Sequence, residues 1–450
     1  MANSYLNRTL GTPTNNLKWT FSAWIKKSGF DGNQALLSSG ADANNRGLIY
    51  LADNGRLFVY ETTSGTDTTE IGTNRVFRDV SAWYHIVVAV DTSQGTEANR
   101  VKIYVNGTQE TSLSPSNYPS VNASNFINSA VRHDISGRNN HSSSDLYFNG
   151  YMSHVAFVDG QQLAPTVFGQ TDSTSGIWKF KSPSGVTWGT NGFWLKFENS
   201  GALGTDSSGN SNTFTVNGNG RQALDTPSNV HATLNPLDAY VSHMVFSDGN
   251  NTVDNGSTAS NKSYARSTLG MSSGKFYFEA KDVTNANYQS IGITDKASGG
   301  TDGELGGSSA DYVYRNDAGQ KGNNNSFSSY GNSYTTNDII GCAVDLDNLK
   351  IYFSKNGVWQ NSGDPTSGAT GTGAAFTITA PSLTSTGFYF FAVGDSTAAN
   401  SSKWSANFGN GLFGTTAISS AGSNGNGSLF EYDVPSGYYA LNTKNINTYG

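Results

Sequence analysis

The sequence predicts an all-β protein of two β-sandwich domains in tandem, and three observations carry that prediction. The first is composition: of 450 residues, 52 are Gly, 12% are aromatic and only 14% are charged. A disordered chain would hold far fewer aromatics, so the stretches rich in Gly, Ser, Thr and Asn read as turns between strands. The second is residues 83–107 (WYHIVVAVDTSQGTEANRVKIYVNG). Ile86, Val88 and Val90 alternate with Val87 and Ala89, which suits a strand buried on both faces. Val101, Ile103 and Val105 alternate with outward Lys102 and Tyr104, and Asn106-Gly107 supplies the positive φ of a tight hairpin. The third is an echo of this plan at residues 338–357 (DIIGCAVDLDNLKIYFSKNG). One echo at long spacing argues for two domains of similar architecture; a solenoid would repeat a short period at least three times.

Taken in order, residues 17–26 (LKWTFSAWIK) place Trp19, Phe21, Ala23 and Ile25 on one face, and residues 35–39 continue as a short strand. Residues 47–52 and 56–61 alternate on either side of Asp53-Asn54-Gly55, a hairpin signal. After the 83–107 pair, residues 106–129 are mostly Ser, Thr, Asn and Pro and are expected to cross a sandwich edge. Residues 135–138 and 147–159 (YFNGYMSHVAFVD) return as strands. Together, FSAWIK, WYHIVVAVD, VKIYVNG, ISGRN and FNGYMSHVAFVDGQQL resemble a laminin-G-like, concanavalin-A-type jelly roll, which implies such a domain over residues 1–175.

Residues 176–238 hold Trp178, Trp188 and Trp194 among frequent Gly and Pro. Aromatic density says that this segment packs, here on the first domain, and the punctuation says that it turns often. Its GTNGFWLKF, GTDSSGNSNTF and DTPSNVHATLNPLD resemble a joining segment found in bacteriophage structural proteins. From residue 239 to 450, SGKFYFEA, QSIGIT, DYVYRNDAGQKGNNN, the 338–357 pair, FYFFAVGDS and SANFGNGLF resemble a SPRY domain, a bent β-sandwich. The loop 361–375 departs from that pattern in its richness in Gly and Thr. The tail 429–442 has aromatics enough to dock back on the domain.

Net charge is −7, and Lys and Arg form no run of four, so nucleic acid is not an expected partner. No stretch approaches the roughly 20 apolar residues of a membrane helix, and MANSYLNRTL lacks a basic region followed by an apolar run. Membrane insertion and a secretion signal are therefore not expected, and release by lysis is. The single Cys342 falls in a predicted buried strand, where a thiol is inert.

Catalytic patterns are weak. Glycan hydrolysis needs two carboxylates a few Å apart, but Glu279 and Asp282 are expected on opposite faces of a strand, and Asp345 and Asp347 flank a turn; both pairs read as solvated or turn-capping. His85, His133, His141, His154, His231 and His243 lack metal-ligand spacing. Ser272 in GMSSG precedes a strand, where a nucleophile elbow needs a strand before it and a helix after it. The expectation is a protein that is not an enzyme.

Laminin-G-like domains often bind calcium through loop oxygens, and the resemblance makes Asp206 with Asn210 the first candidate, ahead of Asp42 with Asn44 and Asn45, and of Asp53 with Asn54. Asp and Asn also populate turns for local hydrogen bonds. For a glycan, the candidates are Tyr312, Tyr314, Arg315, Tyr330 and Tyr334, flat rings beside polar groups; Tyr312 and Tyr314 alternate as a strand does, so core packing is the competing role. These features and the phage-type junction together point to a virion surface protein, a tail fibre, tail tip or capsid appendage, that binds host-surface glycan or protein alongside other virion proteins, as a homo-oligomer. The alternatives are a decoration or capping protein of capsid or tail, and a polysaccharide-degrading enzyme.

Overall fold

The computed structural model describes residues 3–140, 143–238, 244–256, 262–284, 286–296, 303–395 and 402–450. It divides into two compact units, Met1–Gln222 and Ala223–Gly450. The segment expected as a single joiner over 176–238 is thus divided: residues 176–222 fold with the first unit, while Ala232 and Leu234 are core residues of the second.

The first unit pairs a six-stranded antiparallel sheet with an eight-stranded one. In the smaller sheet, Lys18–Lys27 lies between Gly150–Asp159 and Tyr84–Asp91, and Val101–Val105 follows. The larger runs through Thr66–Val76, Arg56–Thr63, Asn45–Leu51, Gln34–Asp42 and Arg132–Ile135 to Tyr5–Thr9. Period-2 alternation puts Trp19, Phe21, Ala23, Ile25, Ile86, Val88, Val90 and Ile103 in one buried layer with Ile49, Leu51, Leu57, Val59 and Ile71 of the facing sheet. The hairpin at Asn106-Gly107 has φ of 48° and 80°. Val87 is also fully buried, on the other face, against Ala156, Val158, Phe168 and Trp194. The strand is covered on both sides because residues beyond 160 lay a third layer over it.

Loops are tied in by buried side chains. Asp159, 2% exposed, accepts from the backbone N–H groups of Thr14 (2.6 Å), Asn15 (3.2 Å) and Asn191 (3.1 Å) and from Asn128 Nδ2 (2.8 Å). Glu61 accepts from the N–H groups of Phe126 (2.9 Å) and Ile127 (3.2 Å). The stretch expected to cross an edge is thereby anchored, and it contributes the strand Leu113–Asn117.

The second unit is also a two-sheet sandwich. Lys275–Asp282 lies between Lys403–Asn407 and Ile339–Asp345, with Lys350–Lys355 beyond; the other sheet centres on Gln289–Thr294, flanked by Phe390–Asp395 and Tyr312–Arg315. Phe276, Phe278, Ile340, Cys342, Val344, Ile351 and Phe353 face Ile291, Ile293, Phe391 and Val393. On the outer face, Tyr277, Ala343 and Tyr352 are covered by Phe430, Val434 and Tyr438 of the tail.

Glu279 corrects the sequence reading, since it is fully buried and caps no turn of its own, whereas Asp282, equally buried, keeps the turn-capping role. Glu279 accepts from the N–H groups of Glu431 (2.8 Å) and Tyr432 (2.9 Å) and from Tyr277 Oη (3.0 Å), so it clamps the tail. Asp282 accepts from Thr284 N (3.0 Å) and Gln289 Nε2 (3.1 Å), closing the next loop. The turn roles of Asp345 and Asp347 hold: they accept from Asn348 N and Gly274 N, each at 2.9 Å.

Burial disfavours the charged form in both units, and the two differ in which groups are buried. In the first, it holds His85 down to about 3 and His133 and His154 to about 4. Their unfolded value is 6.5, so each contributes stability that is present above pH 6.5 and lost as pH falls toward the folded value. Glu61, pushed up to about 8 by burial, opposes them. In the second unit, burial pushes Glu279 and Asp282 up to about 7 and Asp395 to about 6. These contribute stability that is present below the unfolded carboxylate values and lost as pH rises through the folded ones. Calorimetry of the intact chain between about pH 5 and 7 is therefore expected to move the first unit's transition up and the second's down with rising pH; a common shift would contradict this assignment.

Candidate functional site

The aromatic platform expected in the second domain is not a surface. Tyr312, Tyr314, Tyr330 and Tyr334 are 5%, 0%, 8% and 3% exposed and belong to the core. Tyr314 packs against Tyr330, Tyr334 and Phe353, with ring centroids 5.2–5.7 Å apart. Their hydroxyls are satisfied internally: Tyr334 donates to the carbonyl of Gln289 (2.8 Å) or Tyr314 (3.0 Å), Tyr330 to that of Gly373 (3.2 Å), Tyr314 to that of Asn332, and Tyr312 shares a bond with Thr379 Oγ1 (3.0 Å). Arg315 pairs with Asp317, donates to Gln320 Oε1 (2.7 Å), and stacks 3.7 Å from the Phe327 ring. The competing reading of their alternation, core packing, is what the sandwich uses.

The calcium candidate is likewise a turn organiser. The Asp206 carboxylate accepts from the N–H groups of Trp194, Ser208 and Asn212 and from Ser208 Oγ, all at 2.8 Å. Asn210 Nδ2 donates to the carbonyls of Gly189 (2.6 Å) and Gly192 (2.9 Å). Those oxygens already face donors, and a cation there would have to displace them. Among the described residues no group of three or more His, Cys, Asp or Glu could hold a metal ion. Asp42 likewise accepts from Asn44 N (2.8 Å) and Asn45 Nδ2 (2.9 Å) within its own turn. His141 and His243 lie outside the described residues.

What remains is decided by which outer sheet faces are covered. In the first unit, the six-stranded sheet is roofed by Phe168, Phe180, Trp188 and Trp194. His85 is stacked between Trp24 (4.7 Å) and Trp178 (6.0 Å). Its Nδ1 accepts from Trp178 Nε1 (2.9 Å), which leaves Nε2 to donate to Ser22 Oγ (2.8 Å). Trp178 fits because Gly107 and Gly169 lie beneath it; a Cβ at either would come within 2.6 Å of the ring. In the second unit, the tail covers one sheet, and Leu305 packs on Tyr264, Val313 and Ala392 of the other. Among the described residues, the outer face of the eight-stranded sheet carries no such apolar roof.

That face carries Leu48 and Tyr50 from one strand, Phe58 and Tyr60 from the next, and Glu70 from the third, because Ile49, Leu51, Leu57, Val59 and Ile71 take the inward positions. Tyr50 pairs in register with Phe58, and Tyr60 with Leu48 on one side and Glu70 on the other. The Tyr50 and Phe58 rings lie 5.3 Å apart at 19°, nearly parallel. Gly72 lets Phe58 lie across its strand, since a Cβ there would be 2.6 Å from the ring. Phe58 and Leu48 are buried beneath, while Tyr50 and Tyr60 are half-buried and reach solvent. Tyr60 donates to Asp67, which also accepts from Thr62 Oγ1 (3.1 Å). The Arg56 guanidinium lies 5.3 Å from the Phe58 ring and donates to the carbonyl of Ser114. Partial burial, then Glu70, Tyr60, Asp53 and Asp67, raise the Tyr50 hydroxyl above the usual tyrosine value. Tyr50, stacked on Phe58, and Tyr60 thus present partly exposed phenols with carboxylates near them, against which a sugar ring can pack while its hydroxyls are accepted. Sequence reasoning saw both strands here as scaffold; the signal available was that their outward set is aromatic and not Ser, Thr or Lys.

Comparison with known proteins bears on the architecture. The profile of the concanavalin A-like lectin/glucanases superfamily matches residues 2–167, and that of the SPRY domain matches residues 275–383. The chain carries both domains. It is 32% identical over 101 residues to the ATP-dependent RNA helicase DDX1 of Xenopus laevis, covering 20% of this chain and 12% of that protein. It is 36% identical over 99 residues to the ATP-dependent RNA helicase Ddx1 of Drosophila melanogaster, covering 22% and 13%. The chain thus spans about an eighth of the length of these curated relatives. Among solved structures it is similar to the SPRY domain of human HERC1, at 19% identity and TM-score 0.30, covering 38% of this chain and 96% of that one. It is also similar to the Ruminococcus gnavus IT-sialidase CBM40 bound to alpha2,3 sialyllactose, at 18% and 0.24, covering 30% and 71%.

Two expectations follow. Chelation of divalent cations is expected to leave the melting temperature of the first unit unchanged, whereas Asp206→Ala lowers its stability by roughly 2–3 kcal/mol, the scale of charge-assisted hydrogen bonds lost with their donors left buried. Tyr314→Ala is expected to cost about 3–5 kcal/mol through the cavity left in the second core; unchanged unfolding of that variant in denaturant would place the ring at a surface.

Proposed function

We propose that this protein is a bacteriophage virion surface protein that binds a host-surface glycan and does not change it chemically. The observation that carries the reading is the open aromatic face of the concanavalin A-like domain: Tyr50 and Tyr60 reach solvent over Phe58 and Leu48, with Glu70 and Asp67 at their edge. The resemblance of the junction to those of phage structural proteins supports the virion assignment. The carboxylates sought as a hydrolytic pair, Glu279 and Asp282, hold loops in the second core, which supports a non-catalytic role. On this reading the chain sits on the particle as a tail fibre, tail tip or capsid appendage, assembled with other virion proteins and with copies of itself. Many weak sites per particle then multiply into tight adsorption without any new contact.

Antibody against the protein is expected to label intact particles. The clustered protein should compete with adsorption, and the Tyr50→Ala, Tyr60→Ala double variant should lose that competition while keeping its melting temperature within a few degrees, since half-exposed side chains carry little of the core. Labelled particles with no competition by either protein would favour a decoration or capping role. Release of reducing sugar from host envelope would favour an enzyme.

A further inference from the structure

We infer that Asn219 and Asn426 are sites of spontaneous covalent modification, converted by water to aspartate and isoaspartate, and that conversion at Asn426 loosens the tail from the second sandwich. The chain holds eleven Asn-Gly pairs. In such a pair the glycine, lacking a Cβ, lets its backbone nitrogen approach the asparagine amide. That nitrogen gives up its proton to hydroxide and attacks Cγ, so that a new C–N bond closes a cyclic imide while Nδ2 departs as ammonia. Water then opens the ring at either carbonyl, and the chain continues through the α-carboxyl or through the former side chain. No oxidant or reductant is needed.

At nine of the eleven pairs the fold holds back the asparagine amide or the glycine that follows it. Asn191, Asn255 and Asn410 are 1%, 1% and 3% exposed. Asn106 and Asn356 each accept a strand N–H, from His85 and Ile339, at 2.8 Å. Asn54 accepts from Arg56 N (3.1 Å), while Gly55 N donates to the carbonyl of Ala52 (2.8 Å). Asn217 and Asn424 donate through Nδ2 to the carbonyls of Thr215 (3.2 Å) and Val434 (3.1 Å), and Gly150, after Asn149, is held in the strand ladder opposite Lys27. Asn219 and Asn426 are exposed, and neither side chain has a hydrogen bond among the described residues.

Asn426 stands where a change of main chain is felt. With φ of 52° and 89°, Asn426 and Gly427 are the central residues of a turn closed by one bond, from Ser428 N to the carbonyl of Gly425 (2.9 Å), and no atom lies within 4 Å of where a Gly427 Cβ would be. Opening that turn frees the imide to close. The residues just beyond it are pinned: Leu429 N donates to the carbonyl of Gly409 and Gly422 N to that of Phe430, each at 2.9 Å, and Phe430 lies 5.0 Å from the Tyr277 ring that it covers. Isoaspartate inserts a methylene into the main chain between these anchors, which sets the turn bond, the Leu429 bond and the seat of Phe430 against one another.

The test is storage of the full chain at mildly alkaline pH, followed by peptide mass mapping that separates aspartate from isoaspartate, beside calorimetry. Conversion at Asn219 and Asn426 is expected to run at least about tenfold faster than at Asn106 and Asn356, the rate equivalent of roughly one hydrogen bond that the latter must first break. The second unit's transition is expected to fall on storage of the parent chain and to hold in Asn426→Gln, whose longer side chain closes the ring far more slowly. Fresh Asn426→Asp, which carries the charge without the longer main chain, is expected to melt as the fresh parent does. No conversion at Asn219 or Asn426, or conversion no faster than at Asn106 and Asn356, would overturn the assignment of the sites. Conversion at Asn426 with an unchanged second transition would leave the sites standing and overturn the loosening of the tail.

Discussion

A β-sheet has two faces, and what covers the second one decides most of this structure. In each sandwich the inner faces bury one another, as alternation requires. Strands such as Tyr84–Asp91 and Lys275–Asp282, however, also bury outer-face side chains, His85, Val87 and Ala89 in one and Tyr277 and Glu279 in the other. A single sandwich would leave Val87 or Tyr277 in water, so irregular segments must supply a third layer. In the first unit it is the stretch with Phe168, Trp178 and Trp194; in the second, the tail with Phe430, Val434 and Tyr438. Apolar residues in a chain with so much Gly, Ser and Asn are thus concentrated where a sheet needs a roof.

Aromatic cover alone would slide, since burial is non-directional. Direction comes from buried acceptors aimed at loop backbone. Glu279 fixes the tail through two consecutive N–H groups, Asp159 gathers three loops, and Glu61 holds one of the same three through Phe126 and Ile127. A loop that must lie on a sheet has N–H groups without strand partners, and a carboxylate satisfies two or more of them at once. The penalty is desolvation of the carboxylate, visible as the raised values of Glu61 and Glu279. Where a buried hub sits near enough to bulk water and gathers enough donors, as Asp206 does with four, the same geometry resembles a cation site in sequence while working as a knot.

The strands were legible because period 2 is written directly in residues such as Trp19, Phe21, Ala23 and Ile25, and because a one-residue slip would turn every one of them to the opposite face. The hubs were not. Asp159 meets Thr14 across 145 positions and Glu279 meets Glu431 across 152, and nothing local marks a carboxylate whose donors lie so far away. The open aromatic face was missed for a related reason. Tyr312 and Tyr314 share a strand-like pattern with Phe58 and Tyr60, and sequence carries no sign of whether another layer stands opposite. Density of tyrosines favoured the second domain, where the rings stack on one another as core; the exposed pair was sparser because a surface needs only a few.

The open face follows from the same constraint as the covered ones. A sheet face without a roof must present side chains that tolerate water at their tips, and tyrosine does so while keeping an apolar body against its neighbours. Phe58 and Leu48 lie under Tyr50, Tyr60 and the Arg56 stem, so the surface is neither a hydrophobic patch that would draw in a second sheet nor a fully polar one. What the arrangement leaves available is half-wet, with aromatic bodies beside carboxylate acceptors, and a ligand suited to it must be apolar on one side and a hydrogen-bond donor at its rim. A sugar ring has that form.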